Sequence, residues 1–78
     1  MGEKAFVLVQ TEAGKAAQVA AEVSQLDGVV SAEALAGPYD VVALVEAENM
    51  DELGRMVVSR LQLVDGVTRT LTCPIVRM

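Results

Sequence analysis

The stretch Gly37-Pro38-Tyr39-Asp40 gathers residue types that could hold a small zwitterion. Glycine lets backbone N–H groups come close to a carboxylate. An aspartate can pair with an ammonium, and a tyrosine ring can wall an apolar pocket. The same four residues also make an ordinary hairpin connection, with Gly, Pro and Asp forming the turn and Tyr39 capping the core edge. A second set, Thr68, Thr70 and Thr72, takes alternate positions, which lines its hydroxyls along one strand face. Hydroxyls both donate and accept, so they could wall a ligand site. The β-propensity of threonine also accounts for them.

Catalytic chemistry is poorly served. The chain has no histidine, no lysine inside an apolar run, no Ser or Cys beside a base, and no Gly-rich phosphate loop. No catalytic residue, metal site or cofactor is assigned, and the expectation is a protein that is not an enzyme. Cys73 reads as a small core hydrophobe. Glu46, Glu48, Asp51 and Glu52 surround the start of an expected helix, where its dipole and solvent favour them more than a divalent ion would. Arg55 and Arg60 read as solvated or intersubunit ion-pairing residues, and Arg69 as an edge charge against sheet aggregation. Met56 and Met50 read as core or interface filler.

The elements that must position these residues come from a repeat. "QLDGVVSAEAL" from Gln25 to Leu35 recurs as "LVDGVTRTLTC" from Leu63 to Cys73, an offset of 38 residues. Thr11 falls on Asn49, both suited to capping a helix. Val19, Val23 and Leu26 fall on Val57, Leu61 and Val64. Phe6 to Val9 reads as a short strand. Ala16, Val19, Ala20, Val23 and Leu26 make one helical stripe, and Leu53, Val57, Leu61 and Val64 make another. Asn49-x-x-Glu52 is a capping-box pattern. Both helices are expected to end at Asp-Gly, where glycine can take the left-handed conformation. β-branched residues follow each time, and Pro74 limits the last strand.

The resulting order is βαββαβ: an α+β, ferredoxin-like domain with a four-stranded antiparallel sheet and two helices on one face. Val41-Val42-Ala43-Leu44-Val45 is apolar without alternation, and so is Val7-Leu8-Val9, so both sheet faces must be covered. No chain is left over for the second face. A second copy packed face to face, closing a dimeric α/β barrel, is the expected cover.

Composition agrees. The 78 residues fit one domain over 1–78. A chain this short buries only ~60–65% of the surface its unfolded form exposes. One cysteine makes no internal disulfide, so partner subunits are the remaining support. Hydrophobic residues make up 53%, and mean hydropathy is +0.42, more apolar material than a small monomer hides. The net charge is −5, the basic residues are scattered, and Phe6 and Tyr39 are the only aromatics. Direct nucleic-acid binding is therefore not expected. No run approaches the ~20 apolar residues of a membrane helix. The lone thiol and the lack of a targeting segment point to the cytoplasm.

Loop, capped helix, turn and threonine strand occur together in "GPYDVVALVEAENMDELGRMVVSRLQLVDGVTRTLTC". This resembles the effector-binding domain of the leucine-responsive/asparagine-responsive (Lrp/AsnC) regulators, also called the RAM domain. The family shows a G-x-[YF]-D loop entering an apolar strand, a capped helix, a P/D-G-V turn and a T-x-T strand. The likeness covers Ala5 to about Val76. It implies a βαββαβ dimer with facing sheets, rings that are often octamers, and small effectors, usually amino acids, bound at contacts between dimers. The loop pattern carries over to Gly37, Tyr39 and Asp40, with Pro38 at the position between, and the T-x-T pattern to Thr70 and Thr72. By that likeness Gly37 and neighbouring backbone take a carboxylate, while Asp40 and a threonine take an ammonium. Pro38 stands where the family often has a polar residue, and it has no N–H to give.

Full-length members begin with a helix-turn-helix domain, and nothing here corresponds to it. The expectation is a stand-alone form that senses an amino acid or a similar small metabolite, or co-assembles with full-length regulators. Two other classes share the βαββαβ order. Cofactor-free monooxygenases of the dimeric α+β barrel type usually offer polar and aromatic cavity groups, which a chain without His or Trp lacks. ACT-type regulatory domains usually pack sheets side by side, which the doubly apolar central strands do not favour. An assembly module with no ligand fits the sequence too.

Overall fold

A computed structural model describes residues 2–76; Met1, Arg77 and Met78 lie outside the described residues. The chain runs β1 (Glu3–Thr11), α1 (Ala16–Val23), β2 (Val29–Ala34), β3 (Val41–Ala47), α2 (Met50–Ser59), a 3-10 turn (Leu61–Leu63) and β4 (Val67–Pro74). The sheet order is β2-β3-β1-β4, and every neighbouring pair is antiparallel. This is the expected ferredoxin-like arrangement.

Strand periodicity explains the core. Ala5, Val7 and Val9 of β1 are fully buried, and they stand opposite Val45, Ala43 and Val41 of β3, which are also fully buried. These six point to one sheet face. Val19 and Val23 of α1 and Leu53, Met56 and Val57 of α2 close over them, with Leu61 and Val64 completing the cluster. Asn49 caps α2 as expected: its side chain accepts a 2.9 Å hydrogen bond from the Glu52 N–H.

Several expectations are corrected. The first strand is longer than Phe6 to Val9, running from Glu3 to Thr11. Thr11 ends that strand instead of capping a helix; Lys15 holds the N-cap position of α1, with no side-chain cap. The helices stop short of the Asp-Gly turns. α1 ends at Val23, and bonds from Gln25 N–H to Glu22 C=O and from Leu26 N–H to Val23 C=O tighten its exit. α2 ends at Ser59, and Leu61 reaches the core from a 3-10 turn, so its apolar spacing outlives the α-helix. Gly28 and Gly66 do take left-handed backbone, at φ 91 and 99. Cys73 is exposed, because it pairs with Phe6 on the face away from the helices. Met56 is buried as expected, while Met50 is exposed.

Candidate functional site

The Gly37–Asp40 loop joins β2 to β3 and is fastened at its base. The Asp40 N–H donates to Val9 C=O at 2.9 Å, and the Leu35 N–H donates to Asp40 C=O at 2.7 Å. One Asp40 carboxylate oxygen accepts the Thr11 N–H at 2.8 Å, and the Gln10 side-chain amide donates to Pro38 C=O at 3.2 Å. The end of β1 therefore holds the loop in place, a link the sequence concealed because its partners lie 28 and 29 residues apart. Gly37 and Pro38 are exposed, and Tyr39 and Asp40 are half-buried. Gly37 needs no unusual φ, and a Cβ built there meets nothing within 4 Å. Packing alone does not require glycine at that position.

Of the three alternating hydroxyls, Thr70 and Thr72 share one face as expected, and Thr68 drops out of the ladder. The β1–β4 register shifts between Gln10 and Thr11, so Arg69 pairs with Gln10 and Val67 with Thr11, leaving Thr68 as the extra residue. Thr70 pairs with Val9 and Thr72 with Val7, both on the helix-covered face. The Thr70 hydroxyl accepts a 3.0 Å hydrogen bond from the Gln62 side-chain amide. Asp40 and Thr70 thus flank Val9 from opposite sides of β1, while Thr72 sits two residues farther from the loop.

The second sheet face is apolar at its centre. Leu8 pairs with Val42 and Leu71, and Phe6 with Leu44 and Cys73. Phe6 and Leu71 are 45% and 44% exposed, and Leu8, Val42 and Leu44 are half-buried. Lys4 opposite Glu46, and Gln10 opposite Arg69, border this patch with polar groups.

The two Asp-Gly turns meet the sheet in the same way. Gly66 C=O accepts the Glu12 N–H, and Gly28 C=O accepts the Glu46 N–H, each at 2.8 Å. At the first corner Lys15 bridges Glu12 Oε1 at 3.1 Å and Asp65 Oδ2 at 3.4 Å. The hydrogen bond that the Lys15 ammonium donates to Glu12, then the charge of Asp65, raises the Lys15 pKa above its ordinary 10.5. At the second corner lies a cleft of about 400 Å³ between Gly28, the end of β3 and α2, lined by Glu46, Glu52, Arg55, Met56, Ser59 and Arg60. Among the described residues no group of three His, Cys, Asp or Glu could hold a metal ion. No helix among them is long and apolar enough to cross a membrane.

The sequence matches the Lrp/AsnC ligand binding domain over residues 4–78. The chain belongs to that family. Its relatives include an uncharacterised HTH-type transcriptional regulator of Pyrococcus abyssi, 32% identical over 75 residues. That match takes in 92% of this chain and 50% of the relative, so the chain spans about half the length of the curated relatives it matches. Among solved structures, TTHA0845 of Thermus thermophilus superposes with a TM-score of 0.88 at 30% identity, covering 97% of this chain and 95% of that one. A Neisseria meningitidis transcriptional regulator, solved as its L-methionine complex, gives 0.81 at 25% identity over 96% of this chain and 50% of that one. This Lrp/AsnC domain thus shares its fold with a protein that binds an amino acid and its family with transcriptional regulators.

Proposed function

We propose that this Lrp/AsnC domain is a sensing and assembly module, not an enzyme, working in the cytoplasm. Two copies pair through their open sheet faces into a dimeric barrel, and dimers associate into a ring, an octamer or similar. An amino acid or similar small metabolite binds in the region of Gly37, Pro38, Tyr39, Asp40, Thr70 and Thr72. Backbone at Gly37 takes its carboxylate, and Asp40 with a threonine takes its ammonium. Bound ligand then alters assembly, alone or with full-length Lrp/AsnC regulators.

The observation that carries this reading is the open face of Phe6, Leu8, Val42, Leu44, Leu71 and Cys73. It is a contiguous apolar patch with polar borders, and no further element among the described residues covers it. The L-methionine complex of the Neisseria relative supports the ligand class. The anchoring of the loop supports its region, because a binding loop fastened at its base loses less freedom on binding.

The test is native mass spectrometry of the purified chain, with and without a pooled amino-acid mixture. The expected result is an even-numbered assembly that gains mass in steps of one amino acid or changes size with ligand. Asp40→Ala is expected to weaken that binding while keeping the assembly. A monomer in both conditions overturns the sheet-to-sheet dimer, and an assembly that ignores every amino acid overturns the sensing role.

A further inference from the structure

We propose that the cleft between the Asp27-Gly28 turn and α2 is a second binding site, for a small zwitterion, at the opposite end of β3 from the Gly37–Asp40 loop. The argument starts from α2. Glu52, Arg55, Met56 and Ser59 recur at helical spacing and share the face that looks onto the cleft. Glu46 on β3 and Arg60 just past α2 also line the cleft, and from α2 itself Glu52 and Arg55 supply opposite charges. Neither side chain has an ion pair or hydrogen bond among the described residues, although they stand one turn apart on the same helix. Met56, 7% exposed, gives the cleft an apolar floor.

The opposite wall is held in place. Arg60 donates from Nη1 to Asp27 C=O at 2.9 Å, which ties the turn to the end of α2. Gly28 keeps that wall thin: a Cβ there would lie 3.2 Å from Met56 Cε and 3.3 Å from Glu46 C=O. A volume of about 400 Å³ lies within the range of small-ligand sites.

The twin corner indicates what chemistry fits. There the chain lays the Lys15 stem against Gly66 and sets its ammonium between two carboxylates, and Gly66 is buried. At the second corner Met56 lies against Gly28 but carries no charge, Gly28 is exposed, and Arg60, the cation that reaches the turn, meets the Asp27 C=O and no carboxylate among the described residues. An ammonium from outside, received by Glu52, takes the part that Lys15 plays at the first corner. The unpaired Arg55 asks in addition for an anion on the same molecule, and its planar fork suits a carboxylate. A molecule with one of each, and a short apolar part for Met56, satisfies the cleft.

The test uses the Asp40→Asn chain, which keeps an acceptor for the Thr11 N–H while removing the charge of the loop. It is titrated calorimetrically with glycine, L-alanine, L-leucine, L-methionine and L-arginine in turn. At least one is expected to bind at one site per chain. Arg55→Gln and Glu52→Gln, each added to that chain, are expected to weaken binding by about tenfold or more, with thermal unfolding little changed. The N-acetyl and amide forms of the bound amino acid, each lacking one charge, are both expected to lose binding. If the Asp40→Asn chain binds none of the five, the cleft proposal fails, and binding by the unsubstituted chain alone then leaves the loop as the site. It also fails if Arg55→Gln binds as before, or if either one-charge analogue binds as tightly as the parent amino acid.

Discussion

The two halves of the domain end in the same turn but finish their corners differently. Each Asp-Gly turn offers its glycine C=O to an N–H at the end of a central strand, at the same 2.8 Å. At the Gly66 corner, four residues separate β1 from α1, and one of them, Lys15, folds back over the turn. At the Gly28 corner, only Glu48 and Asn49 separate β3 from α2, and Asn49 is used as the helix cap. Neither residue of that link folds back; the turn is tied instead by Arg60, from just past α2, through the Asp27 C=O. The repeat keeps its overall period by lengthening the helix as the preceding loop shortens: α2 has 10 residues where α1 has 8. One corner closes with its own ammonium, and the other stays open with an acid and a base unpaired.

The halves also differ in what anchors them, and the largest expected effect tests this. The biggest fully buried side chains, Leu53 and Leu61, both belong to the second half, while the first-half helix buries Val19 and Val23. Leu61→Ala is expected to cost about 3 kcal/mol, because the 3-10 turn that carries it is too short to repack. Val23→Ala, at the matching place, is expected to cost about 2 kcal/mol for its smaller volume. Denaturant unfolding of both variants measures the difference. Equal losses would mean that the two helices share the core evenly, and the comparison would break there.

A smaller difference is expected at the glycines. Both have positive φ, so alanine is strained at either one. The surroundings then separate them. A Cβ at Gly66 would meet Lys15 Cδ at 3.0 Å and Val19 Cγ2 at 3.1 Å, and Val19 is fixed in the core. At Gly28 the nearest atom is the flexible end of Met56, 3.2 Å away beside an open cleft. Gly66→Ala is expected to lower stability by about 1 kcal/mol more than Gly28→Ala. The same pair of unfolding curves in reverse order would mean that the second corner is the tighter one.

Much of this contrast was legible in the sequence, and the illegible part has a physical cause. The repeat, the Asn49 cap, the left-handed glycines and the element order all rest on local chemistry, which a sequence displays directly. The matched spacing of Val19 with Val57 and Val23 with Leu61 hid a change in the kind of helix, since a 3-10 turn can present an apolar side chain where an α-helix would have done. Strand alternation puts Thr68, Thr70 and Thr72 on one face; Thr70 and Thr72 do share it, but alternation assumes an unbroken ladder, and the register shift opposite Gln10 and Thr11 leaves Thr68 out. The residue type of Cys73 points to the core, yet its register partner Phe6 belongs to the open face. The cleft was not anticipated, because Gly28, Ala47 and Arg55 are far apart in sequence and only the fold gathers them. The acids and arginines that line it each had a sufficient explanation when read alone.

The smallest effect bears on what closes the first corner. Lys15 contributes both a charge and a stem, and Lys15→Met keeps the stem while removing the charge. Its ammonium is raised above 10.5 by Glu12 and Asp65, so the folded state holds that proton more tightly than the unfolded chain does. The resulting stabilisation is complete below the unfolded-state value and fades as pH rises through the folded-state value. The pair is solvent-exposed, with side chains 35%, 57% and 77% accessible, so it is also screened by salt. Melting temperatures of the two chains are therefore expected to differ slightly at neutral pH and low salt. They should converge in high salt, and converge again as pH rises through the raised folded-state value. A gap that survives both treatments would not come from the charge. It would come from the packing of the longer lysine side chain over Gly66, and the corner would then be closed by shape, leaving the unpaired charges of its twin without a counterpart.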